Sequence, residues 1–364
     1  MNISWYWLVL CAHMFWVLGT YIDKYLLDSY RCEDENTSDV GTFVLVSSAF
    51  MLLVAVVIYG IATTLSYFGI IEAVSFDLGM RDLLLALAVG VCDIGWLIPY
   101  LYALRDEDEN EVSTEVVQVD PLFQIVPVFG FLFGFAFFEE TFTWLQLLSG
   151  VVILVGSIVL NINLTKGSRA SFGAFLNLRV IVSMSIASAV IALSGYVFES
   201  ASMDGNYWGT LFWVSVGSVL AGIMMWACIP SYRRGFHAYI RRWDARSLQV
   251  NVLNEFADNI AAFAFYAAIM LGPSTAIVQS TMAYQPFFVF LAACFASLFR
   301  INRFAHQGWV FAVRALGIVL VVVGSVALYD SDVEVSEPVV VRQHSCWNGV
   351  DEVQHCSQKV LRGL

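Results

Sequence analysis

The chain has 364 residues, 59% hydrophobic and only 13% charged, whereas a soluble domain carries about 45–50% and about 25%. Its apolar residues come in blocks of about 20, the length a helix needs to cross a hydrocarbon core of about 30 Å; this excludes a water-soluble α/β protein. The net charge of −12 resides mainly in a few loops and the tail, and no Lys/Arg-rich patch is interleaved with aromatics. Nucleic acid is therefore excluded as a partner.

Taken in chain order, the blocks predict transmembrane helices at roughly 5–27, 41–66, 83–104, 112–138, 142–163, 179–200, 207–230, 248–271, 273–299 and 305–329. In lipid each must be helical, because every backbone amide has to find its partner within its own segment. The first block is too long for a signal-peptide core and has no small-residue cleavage site, so it is read as a retained span. The charged stretches between blocks, among them "RDEDENE" and "SYRRGFHAYIRRWDARS", are read as loops, and residues 330–364 as a polar, disordered tail. The seven cysteines are scattered with no metal-ligand spacing and no disulfide framework. Neither a metal nor a cofactor is expected.

The blocks also repeat. Laying Pro127 on Pro286 brings Asp120 onto Gln279 and, with a small length adjustment, Gly156-Ser157 onto Gly324-Ser325. "GTYIDK" in the first block corresponds to "SGYVFE" in the sixth, with Tyr21 on Tyr196. The fold class expected is therefore all-α, a polytopic membrane protein of about ten transmembrane helices in an inverted five-plus-five repeat. Five helices is an odd number, so the second copy must enter the membrane from the opposite side. The units are residues 1–164 and 165–329, followed by the tail.

The Pro-containing fourth block, "FFEETFTWLQLLSG" and "VVILVGSIVL" together resemble the EamA-like branch of the drug/metabolite transporter superfamily. Pro127, Glu139, Glu140, Ser149, Gly150 and Gly156 match its closing signature in the first half, and Pro286, Gly317 and Gly324 in the second. The second half departs from the pattern, with the basic "LFRINRF" in place of the acidic turn, and the resemblance implies no particular substrate.

Ionisable groups at bilayer depth are costly unless paired or facing a cavity, so each is a functional candidate. Asp93 and Asp258 each lie about ten residues into their spans, roughly 15 Å deep, and are near-equivalents under the duplication. Asn251, Asn254, Glu255, Asp258 and Asn259 recur at helical spacing on one face of the eighth span. That stripe reads either as a cavity lining or as a hydrogen-bonded seam between helices. His13 suits proton coupling by its ordinary pKa near 6.5, or serves as a packing residue. Lys24 and Glu199 either pair across the halves or snorkel to the interface. Arg314 needs a partner at depth, with Glu255, Asp258, Asp120 or a substrate anion as candidates. Asp120 and Gln124 flank Pro127, while Gln279, Tyr284 and Gln285 flank Pro286; freed carbonyls there are further possible ligands. Trp96 and Tyr100 are expected to shape the pocket.

These residues point to a secondary-active transporter in the cell membrane. It would move a small polar or amphipathic metabolite or drug by alternating access, with the bilayer as its surroundings and a coupling proton as a possible second partner. The rivals are a receptor or scaffold working through its tail and an intramembrane enzyme, and no Gly-x-Ser-x-Gly supports the latter. Loops after odd-numbered spans hold 12 Lys/Arg and those after even-numbered spans only Arg81. The positive-inside rule thus puts both termini outside, whereas the family resemblance implies both inside.

Overall fold

The computed structural model describes residues 4–30, 38–69, 74–105, 123, 125–161, 178–203, 205–285, 287–289, 291, 316–324 and 326–327. These are helical almost throughout, with no strand among them. The predicted tail lies outside the described residues, as do Asp120, Gln124 and Arg314.

Helix α1 spans Trp5–Ser29, α2 Asp39–Tyr67 and α3 Met80–Leu104. Next come α4 (Val126–Phe137), α5 (Trp144–Asn161), α6 (Leu178–Ala201) and α7 (Tyr207–Cys228). Then follow α8 (Pro230–Arg242), α9 (Ala245–Leu271) and the short α10 (Thr275–Ser280). Five of these, α1, α2, α3, α6 and α7, contain stretches long and apolar enough to cross a membrane. Their outward faces stay apolar, as Leu52, Val56 and Tyr59 on α2 show, each more than half exposed. Without lipid such faces would be a liability; in a bilayer they meet solvent of their own kind.

The interior is built by α3 packing along α6 and α7, α1 along α9, and α2 along α7. The α3–α7 contact is backbone against backbone. A Cβ on Gly90 would lie 2.0 Å from the Val214 carbonyl oxygen, so only glycine permits this approach. Ser218 Oγ donates to the Gly90 carbonyl at 3.1 Å across the same contact. A comparable approach joins α5 to residues 316–324, where Gly156 faces Gly317 and Val321 while Gly324 faces Ser149 and Ile153.

Two sequence expectations need correction. The stretch read as the loop "SYRRGFHAYIRRWDARS" contains a full helix, α8. It starts with Pro230 at its first turn, where the missing N–H costs nothing. It buries Tyr232, Gly235 and Tyr239 on one face, and that helical spacing was masked by the density of arginines. Asp244 then caps α9 by accepting from Ser247 N at 2.7 Å. The Ser247 hydrogen bonds hold this exposed carboxyl below its ordinary range. The ninth block, predicted as one helix over 273–299, instead begins as α10 and tightens into a 3₁₀ turn over Thr281–Tyr284. Helix resumes at 285, 287–289 and 291, and the remainder of the predicted span lies outside the described residues.

Candidate functional site

A cavity of about 150 Å³ lies among α1, α2, α3, α6, α7 and α9. Four carboxylates reach it: Asp23 from α1, Asp93 from α3, and Glu255 and Asp258 from α9. Among the described residues no Lys, Arg or His lines it. Trp16, Trp96, Tyr100, Phe265 and Tyr266 supply aromatic walls. Trp16 meets Phe265 with ring centroids 5.1 Å apart, and Trp96 meets Tyr100 at 5.5 Å.

The carboxylates are held by neutral donors. Asp23 accepts from Asn254 Nδ2 at 2.9 Å through one oxygen and from the Tyr100 hydroxyl at 3.2 Å through the other. The same Asn254 amide lies 3.5 Å from Asp258 Oδ2, so one side chain bridges an acid of α1 and an acid of α9. Ser47 of α2 donates to Glu255, and Tyr266 donates to Asp93 Oδ1 at 2.8 Å. Asp258 lies against the backbone of α1 because Gly19 has no side chain; a Cβ there would sit 2.1 Å from Asp258 Oδ1. The wall therefore carries four acids met by neutral donors and, among the described residues, by no cation. A charge on these acids requires compensation in a low-dielectric interior.

The structure brings together Asp93, Glu255, Asp258, Asn259, Trp96, Tyr100 and Gln285 on this wall, with Asn254 directly behind it. Asn251 continues the stripe by accepting from the Tyr30 hydroxyl and donating to the Tyr239 hydroxyl at 2.9 Å. The stripe on α9 is thus both a cavity lining and a seam, its inner residues doing the first and Asn251 the second. His13, Gln279 and Tyr284 lie elsewhere. His13 is buried with its ring against Trp16 and Tyr284. Gln279 is buried and donates to the Ala192 carbonyl at 2.8 Å, tying α10 to α6. Of the two readings of Lys24 and Glu199, the pair across the halves is not made. Lys24 donates to the Leu104 carbonyl at 3.0 Å, while Glu199 accepts from Thr275 at 2.7 Å. The physical reason is direction: Arg179 at the start of α6 reaches Tyr102 near the end of α3, so Glu199, at the far end of α6, lies on the opposite side.

Sequence reasoning passed over Asp23, Thr20, Ser47 and Tyr266. The signal for Asp23 was its place four residues after Gly19 in an apolar helix, one turn along the same face. Attention had settled instead on its neighbour Lys24.

Three comparisons bear on this geometry. No family model matches the chain. An uncharacterized transporter of Methanothermobacter thermautotrophicus is 31% identical over 154 residues, 42% of this chain and 38% of that protein. The match therefore spans less than half the length of this relative. A crystal structure of a protein 12% identical in sequence superimposes with a TM-score of 0.57, covering 90% of this chain and 97% of that one. The fold is thus one that an experimentally determined protein also adopts. The chain is a helical, membrane-embedded protein related over part of its length to a transporter.

Proposed function

We propose that the protein is a secondary-active transporter that carries a small polar or amphipathic solute across the cell membrane by alternating access. The observation that carries this reading is the cavity itself. It lies inside a bundle of apolar helices, is walled by aromatics, and receives Asp93 and Asp258 from two helices that the sequence duplication relates. A transporter needs a polar pocket within the bilayer at the junction of its halves. The partial relative, described as a transporter, supports the same reading.

Residues 1–164 and 165–329 act as two inverted five-helix repeats of the EamA-like kind, and the contacts support this. Under the exchange of repeats, the α1–α9 contact maps onto the α6–α3 contact, and both are extensive. Gly156 and Gly324, matched by the duplication, meet each other's helices. Asp93 and Asp258, with Asp23 and Glu255, hold the solute or a coupling proton, and Trp96, Tyr100 and Gln285 shape the pocket.

The test is uptake into proteoliposomes across amino acids, sugars and organic cations, with and without an imposed pH gradient. Saturable, gradient-dependent accumulation of one class is expected. Asp93→Asn and Asp258→Asn should each reduce it at least about tenfold, the loss of about 1.4 kcal/mol, while the purified variants stay monodisperse. Full transport by both variants would remove the site assignment. No flux of any class by folded, inserted protein would remove the transport reading.

A further inference from the structure

Helix α8 has no role in the cavity, yet it is the most basic element described. It runs between α7 and α9 and packs against the start of α2. Tyr232 lies over Gly41, where a Cβ would come within 2.2 Å of the ring, and Gly235 faces Thr42. Tyr239 completes the buried face, its ring 4.5 Å from Tyr30. At 100° per residue Arg233, Arg234, His237 and Arg241 point away from that face, with Arg242 on its flank. Arg234, Arg241, Arg242 and Arg246 are all exposed.

The surface beside these arginines is apolar. Trp226, Ile240, Trp243 and Leu248 are each more than a third exposed, and Arg233 stacks over Trp226 at 5.6 Å. Tryptophans and arginines interleaved at the end of a membrane-crossing helix mark the headgroup level of a bilayer. Of the acids described at this end, Asp39 is engaged by Arg105 at 3.2 Å and Asp244 caps α9. Arg241, Arg242 and Arg246 thus form a positive surface on a chain whose net charge is −12.

We infer that α8 and the start of α9 form an interfacial element that binds anionic phospholipid headgroups, using Arg241, Arg242 and Arg246 for the phosphates and Trp226, Ile240 and Trp243 for the acyl boundary. Lys24, Arg105 and Arg179 cluster at the same end, around the C-terminus of α3. By the positive-inside rule this end faces the cytoplasm, where anionic lipid is concentrated. Because Tyr239 hydrogen-bonds Asn251 one turn before Asn254 and Glu255, lipid held on α8 also steadies the helix that lines the cavity.

Native mass spectrometry of the detergent-purified full chain tests the inference, titrating phosphatidylglycerol against phosphatidylcholine. The wild type should retain phosphatidylglycerol preferentially, and R241Q/R242Q/R246Q should lose about 100-fold in affinity, a factor of about five for each arginine. The preference should also weaken as salt rises. Equal retention by that variant would overturn the inference, as would equal binding of phosphatidylcholine or displacement by soluble glycerol phosphate at the same concentration. The acidic stretch Glu33–Glu35 precedes α2 and lies outside the described residues. E33Q/D34N/E35Q should leave phosphatidylglycerol affinity unchanged or modestly raised. A rise of about 100-fold would mean the arginines belong to internal ion pairs and would overturn the lipid reading.

Discussion

Two seams of this bundle are built on opposite principles. Along α3 and α7, Gly90 lets two backbones touch and Ser218 bridges them, so nothing fits between. Under the proposed duplication the counterpart of that seam lies between α9 and α2. There the helices touch only slightly and are linked by the side-chain hydrogen bond from Ser47 to Glu255. One seam is shut and the other open, while both helix pairs border the cavity. A protein of two related halves in one conformation is expected to show this asymmetry if the halves exchange roles during transport. The difference also separates scaffold from site: backbone contact resists change, whereas a hydrogen bond between polar side chains is readily remade.

The sharpest way to break the comparison is to force the shut seam apart. Gly90→Ala places a methyl group 2.0 Å from a backbone oxygen that cannot rotate away. A stability loss at or above the top of the usual overpacking range of about 1–3 kcal/mol is expected. Thermal unfolding in detergent would measure it; an unchanged transition would mean the seam is not packed as described. Gly19→Ala makes the same change at the pocket, where the obstructing atom is Asp258 Oδ1, 2.1 Å away but at the end of a rotatable side chain. This variant should fold with little loss of thermal stability while transport drops about tenfold. If it unfolds as badly as Gly90→Ala, the distinction between the seams fails. The smallest effect is expected from Tyr266→Phe, which removes the donor to Asp93 and leaves the ring in place. One hydrogen bond of about 0.5–1.5 kcal/mol predicts a two- to tenfold change in apparent solute affinity. Initial uptake rates across solute concentrations would read it, and no change would show that Asp93 needs no donor.

Much of the architecture was legible before the structure. Blocks of about 20 apolar residues admit only helices in lipid, and α1, α2, α3, α6 and α7 match those blocks closely. The stripe on α9 was legible for a similar reason. Asn254, Glu255, Asp258 and Asn259 break an otherwise apolar face at helical spacing, and a bilayer tolerates that only where the face turns inward.

Other features depended on more than one segment. Asp23 stands four residues short of a predicted span end, where an acid normally meets water. It joins the site only because α1 packs along α9 and Asn254 reaches it. His13 and Gln279 carried the same local signal as Asp93, yet neighbouring helices cover them and the cavity lies elsewhere. Helix α8 looked like a charged loop because its apolar face is only three residues wide, and α2 supplies the surface that gives this face a purpose. The sequence by itself determined that the chain lies in a membrane and which helix carries the polar face, because hydrocarbon imposes those terms on each segment separately. The tertiary structure decided which acids share a cavity and which seam is shut, because both are set by the distance between helices far apart in the chain.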